Sequence, residues 1–65
     1  MKMIEVEDYD GNEALIDPLS IQFVLQGEKE GIKVTRVFFN NGCHVNLIEN
    51  YEEVKNKINK AMNYF

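Results

Sequence analysis

Asp10-Gly11 and Asn41-Gly42 each interrupt short stretches of alternating apolar and polar residues, and one amphipathic segment follows Asn50. Both dipeptides tolerate positive φ, so each marks the pivot of an antiparallel hairpin. In a chain of 65 residues this punctuation leaves little room for alternatives. The expected fold is α+β: a small antiparallel β-meander of about five strands, with one C-terminal amphipathic helix packed on one face. Residues 1–65 form a single domain, with strands at about 2–7, 13–16, 20–26, 33–40 and 43–48 and a helix at about 51–63.

The details follow residue chemistry. Ile4 and Val6 alternate with glutamates in the first strand, and Asp17-Pro18 ends the second, because proline removes a ladder donor and restricts the residue before it. Alternation in the third strand predicts Ile21, Phe23 and Leu25 on one face and Gln22, Val24 and Gln26 on the other. The charged, glycine-bounded stretch Gly27–Gly31 reads as a loop. Asn50 suits a helix N-cap, with Glu53 placed to reach back to it. From there Tyr51, Val54, Ile58, Ala61, Met62 and Phe65 recur at helical spacing.

Chains this short sit near the lower limit for a self-sufficient core and usually rely on a staple. Cys43 is the only cysteine and His44 the only histidine, which excludes a disulfide and a structural zinc site. Self-association is the staple that remains. A net charge of −4 and a pI near 4.8 oppose sequence-independent binding of long nucleic acids, though not of a small anion in a local basic pocket. No apolar run is long enough to span a membrane, the first residues lack the apolar stretch of a signal peptide, and the lone free cysteine suits a reducing compartment. A cytoplasmic location is expected.

One helix covers one face of a small sheet. If Ile21, Phe23 and Leu25 meet it beside Val37, Phe39, Val45 and Leu47, the opposite face carries Gln22, Val24, Gln26, Val34, Arg36, Phe38, His44, Asn46 and Ile48. A solvated antiparallel face should be mostly polar, and this one is not. Its apolar members suggest a contact surface, either a homo-oligomer interface or a ligand pocket within one. The candidate ligand-binding residues are Arg36, Phe38, His44, Asn46 and Gln22. Arginine offers a planar fork for phosphate, a phenyl ring offers a stacking platform, and amides read base edges.

Signals of catalysis are lacking. Cys43 and His44 are adjacent in a strand and so point to opposite faces, and no nucleophile elbow, P-loop or dinucleotide fingerprint occurs. Asp8, Asp10 and Asn12 imitate the opening of a calcium loop, but its closing acidic position falls on Leu19, so they read as turn residues. The chain is expected to be non-enzymatic, without metal or cofactor.

Met3-Ile4 with Val6, then Tyr9-Asp10-Gly11, Ile16-Asp17 and Ile21, followed by the run from Thr35 to Val54, resemble the short proteins of the flagellar FlbD family over most of the chain. The departures are Phe38, Asn40, Cys43 and His44. That resemblance implies a β-meander with a helix and a role as a protein–protein adaptor or regulator with no small-molecule ligand. In size and physical logic the chain is also similar to phage proteins that sequester cyclic nucleotide signals within homo-oligomers. The chain is expected to be a small homo-oligomeric binding protein that sequesters an anionic nucleotide-type signalling ligand, such as a cyclic nucleotide or an ADP-ribose-type molecule. The FlbD-like adaptor with one protein partner is the alternative.

Overall fold

Three turns, each placed by a glycine with φ near +80° to +90°, set the course of the chain: Gly11 (φ 88), Gly31 (φ 79) and Gly42 (φ 90). The computed structural model describes residues 3–62. Its elements are β1 (Ile4–Glu7), β2 (Glu13–Ile16), a 3-10 turn (Pro18–Ser20), β3 (Ile21–Lys29), β4 (Ile32–Phe39), β5 (His44–Leu47) and α1 (Tyr51–Met62). The fold is α+β, as expected. Its strands divide into two antiparallel sheets, a β1-β2 hairpin and a three-stranded β3-β4-β5 meander. A single bridge, Asp8 to Leu47, joins them, flanked by bonds from Tyr9 N–H to Asn46 O (2.9 Å) and from Ile48 N–H to Glu7 O (3.1 Å).

Local chemistry explains each boundary. Asp8 organises the β1-β2 loop, its Oδ1 accepting from the N–H groups of Asp10 (2.9 Å) and Asn12 (2.8 Å). The Asn12 N–H comes first among the causes that hold the Asp8 carboxyl below its ordinary value of 3.8. Asp17 caps the 3-10 turn by accepting from Leu19 N–H (3.0 Å), and Pro18 is buried there. Asn50 and Glu53 form a reciprocal cap, with Glu53 N–H donating to Asn50 Oδ1 and Asn50 Nδ2 to Glu53 Oε1, both at 2.9 Å. The helix ends at Met62 within the described residues, and Phe65 lies outside them.

The stretch Gly27–Gly31 is not a loop. β3 continues to Lys29, β4 begins at Ile32, and Glu30-Gly31 alone make the turn. Both turn residues have positive φ (52° and 79°), the two-residue geometry whose twist matches the flanking strands. Asn40 and Asn41 carry the next turn, with Gly42 in the left-handed position and Gly42 N–H donating to Phe39 O (3.0 Å).

The core lies between the helix and the inner faces of both sheets: Ile4, Val6, Ile16, Val37, Leu47, Val54 and Ala61, with Ile21, Val24, Phe39, Val45 and Ile58 packed around them. Two polar features fasten it. Thr35, fully buried, donates its hydroxyl to the carbonyl of Glu49 (2.7 Å). The Glu49 side chain accepts from Glu7 N–H at Oε2 (2.9 Å), and its Oε1, otherwise without a hydrogen-bond partner, is met by the Lys57 ammonium. Lys57 also donates to Glu5 O (2.7 Å), so one lysine on α1 ties the helix to β1 and to the β5-α1 connection.

Candidate functional site

The helix leaves the other face of the three-stranded sheet open, and the pairing register says which residues occupy it. Opposed residues share a face. Buried Val37 faces the helix, so Val24 and Val45, its partners, face it too. The outer face therefore carries two rows across the strands: Phe23, Phe38 and His44, and beside them Leu25, Arg36 and Asn46.

This corrects the face expected for β3. A register shift between Ile21 and Phe23 leaves Gln22 as an extra, unpaired residue, a β-bulge. Ile21 remains inside, whereas Phe23 and Leu25 turn outward and Val24 turns in. Four of the five expected ligand-binding residues, Arg36, Phe38, His44 and Asn46, do share the outer face. Gln22 sits exposed in the bulge and is not in register with them. Val34, also expected to be open, is only 2% exposed although it lies on this face. Tyr9 spans that end of the sheet: its hydroxyl donates to Glu30 Oε1 (3.2 Å) and its ring lies under the Lys29 ammonium (4.9 Å). Crowding, then the Glu30 carboxylate, pushes its phenol up from the ordinary value of 10.0.

The aromatic row is a stack. Phe23 and Phe38 lie ring on ring, with centroids 4.4 Å apart and planes within 12°, and His44 flanks Phe38 at 5.3 Å, tilted by 34°. Such cross-strand pairs stabilise a sheet by roughly 0.2–1 kcal/mol each. The stack also occupies the flat sides of Phe38, leaving ring edges toward solvent. Phe23 is 47% exposed, and Leu25, Ile32 and Ile48 are exposed as well.

Arg36 is held in place. Its Nε donates to Asn46 Oδ1 (2.6 Å), and its Nη2 makes a long contact with the carbonyl of Glu28 (3.5 Å). Between these points the guanidinium lies flat over Gly27: a β-carbon there would stand 3.2, 3.3 and 3.4 Å from Nη1, Cζ and Nη2. Glycine at 27 is thus what allows the arginine to cross β3.

Phe23, Leu25 and Gly27 were not among the expected site residues. The Glu30-Gly31 turn was the signal that could have found them, since a two-residue hairpin fixes Lys29 opposite Ile32 and hence Phe23 opposite Phe38. Elsewhere, a shallow cleft between β1 and α1 is lined by Met3, Ile4, Glu5, Lys57, Lys60 and Ala61, away from the Arg36 face. Among the described residues, no group of three or more His, Cys, Asp or Glu side chains is placed to hold a metal ion, and no helix is long and apolar enough to cross a membrane.

No protein-family model, no curated protein and no solved structure matches this chain.

Proposed function

We propose that this protein is a small, self-associating, non-enzymatic binding protein whose contact surface is the outer face of the β3-β4-β5 sheet. The observation that carries this reading is the stack of exposed Phe23 on half-buried Phe38, beside exposed Leu25, on a face that the helix leaves open. Contiguous apolar surface of this kind usually marks an interaction site. Rings packed against one another present a level, edge-on surface, which suits a protein surface more than a base that must stack on a free ring face. A partner protein in the manner of the FlbD adaptors would dock on the same surface. Exposed, unpaired Cys43 supports a cytoplasmic setting.

A second reading, sequestration of a small anionic nucleotide, is favoured by one observation: the Arg36 guanidinium, braced by Asn46, lies beside the apolar rows. Its phosphate contact would be Arg36, with His44 and Asn46 at the margin and Phe23 offering the free ring face.

Amide chemical shifts followed over a dilution series test the first reading. Concentration-dependent shifts should cluster at Phe23, Leu25, Phe38 and His44; changes confined to the helix surface would overturn it. Adding cyclic dinucleotides or ADP-ribose at constant protein concentration tests the second, which requires saturable shifts at Arg36 and Asn46 and fails if no member of the panel produces them at micromolar protein.

A further inference from the structure

β3 is an edge strand, and its free side is ready for a partner. The bond from Phe39 N–H to Cys43 O directs the backbone groups of Phe39 toward β5, so by alternation those of Phe38, Arg36, Val34 and Ile32 face β3. Their partners on β3 are Phe23, Leu25, Gly27 and Lys29. Val24, Gln26 and Glu28 therefore direct their N–H and C=O groups outward, where no strand meets them among the described residues. From Phe23 to Lys29 the strand is regular and contains no proline, and its charges lie only at the Glu28-Lys29 end. Edges this long are normally blunted, because unpaired ladder groups invite another strand.

We infer that two copies of this chain pair β3 to β3, antiparallel about a two-fold axis at Gln26, forming one continuous six-stranded sheet whose joined outer face binds a diphosphate-type anion between two Arg36 side chains. The inference rests on the self-association proposed above, moves the contact from the outer face to the β3 edge that borders it, and takes its ligand class from the second reading. Charge favours this arrangement: antiparallel pairing about Gln26 sets Glu28 of one copy beside neutral Val24 of the other and Lys29 beside Phe23, whereas a parallel pairing in register would set Glu28 against Glu28. Gln26 pairs with its own copy, and the three outward residues supply about six inter-strand hydrogen bonds. Leu25 of one copy then lies opposite Gly27 of the other.

The anion site follows from the path of Arg36. Its guanidinium already lies over Gly27 and touches Glu28 O at the free edge. With a strand spacing of about 4.8 Å and a rise of about 3.4 Å per residue, the two Gly27 positions fall roughly 8 Å apart on the same face. Each carries a guanidinium, and the pair can grip two linked phosphates from either side. Neither copy holds more than half of this site.

Light scattering over a concentration series tests the pairing on wild type, Gln26→Pro and Phe23→Lys, with circular dichroism to confirm folding. The N–H of Gln26 points outward, so proline there removes no bond within the monomer but blocks the ladder at the axis. The wild type should approach twice 7.6 kDa as concentration rises, and Gln26→Pro should stay at 7.6 kDa. If Phe23→Lys dissociates the assembly while Gln26→Pro does not, the copies meet face on face: the proposed contact surface stands and edge pairing is overturned. A wild type at 7.6 kDa under every condition overturns both. If Gln26→Pro does not fold, amide exchange in the wild type decides, since Val24, Gln26 and Glu28 must gain protection with concentration. Inorganic pyrophosphate is the probe for the anion site. It should tighten the wild-type dimer at least about tenfold and leave Arg36→Gln unaffected; equal effects on both, or none, would remove the anion from the proposal.

Discussion

At the scale of single residues, the polar groups that fasten this small core are sharper determinants than its apolar ones. Thr35 is fully buried and spends its hydroxyl on the Glu49 carbonyl. Thr35→Val keeps the shape but leaves that carbonyl without its donor, which should cost on the order of 1–3 kcal/mol in urea unfolding. A loss below a few tenths would mean that water or another donor replaces the hydroxyl. Asp8 offers a test of pH dependence. Its folded-state value lies below the ordinary 3.8, with the Asn12 N–H as the largest cause. Its contribution to stability is therefore present above the unfolded value and lost as pH falls through the depressed one. The Asp8 carboxyl, followed by NMR, should titrate with a midpoint under 3.8. A midpoint at or above that value would show that the loop bonds do not persist in solution.

At the scale of elements, turn chemistry outranks strand composition. Glu30 occupies a left-handed position with φ 52, which costs a side-chain-bearing residue about 1–2 kcal/mol. Asparagine tolerates that region far better and is the preferred partner of a following glycine. Glu30→Asn should therefore stabilise the protein by several tenths to about 1 kcal/mol in urea unfolding, even after losing the bond from Tyr9 Oη. Destabilisation would show that the Tyr9–Glu30–Lys29 cluster matters more than the backbone.

The same turn shows what was legible in the sequence. Strand and helix positions could be read from alternation and from the Asn50 cap, because those signals are local. β4 and β5 also gave Arg36, Phe38, His44 and Asn46 a common face, since the Asn41-Gly42 turn ties the two strands directly. The face of β3 could not be read by alternation from Ile21, because the bulge at Gln22 inserts one residue and inverts everything beyond it. Nothing in Ser20-Ile21-Gln22-Phe23 announces a bulge. It arises because Ile21 must reach the core while the Glu30-Gly31 hairpin holds Phe23 opposite Phe38. Val34 escaped for a different reason: the element near it, Tyr9, is remote in sequence.

For the whole molecule, one helix and a two-stranded hairpin cover one side of the meander, Tyr9 spans one end of the other side, and the rest of that side is apolar, aromatic and bordered by an open strand edge. A chain of this size gains from associating with a copy of itself along that side, at the face or at the edge that borders it. Phe23 is the residue to challenge, because it belongs to the outer face and to the edge strand alike, and at 47% exposure it can be replaced without opening the core. Lysine there would repel its symmetry mate in a face-to-face contact and Lys29 in an edge pairing. Molar mass by light scattering across a concentration series, for wild type and Phe23→Lys, is the most direct measurement. The wild type should rise above 7.6 kDa while the variant remains at 7.6 kDa with its circular dichroism unchanged. A wild type at 7.6 kDa throughout, or a variant that associates as readily, would contradict a contact surface on this sheet.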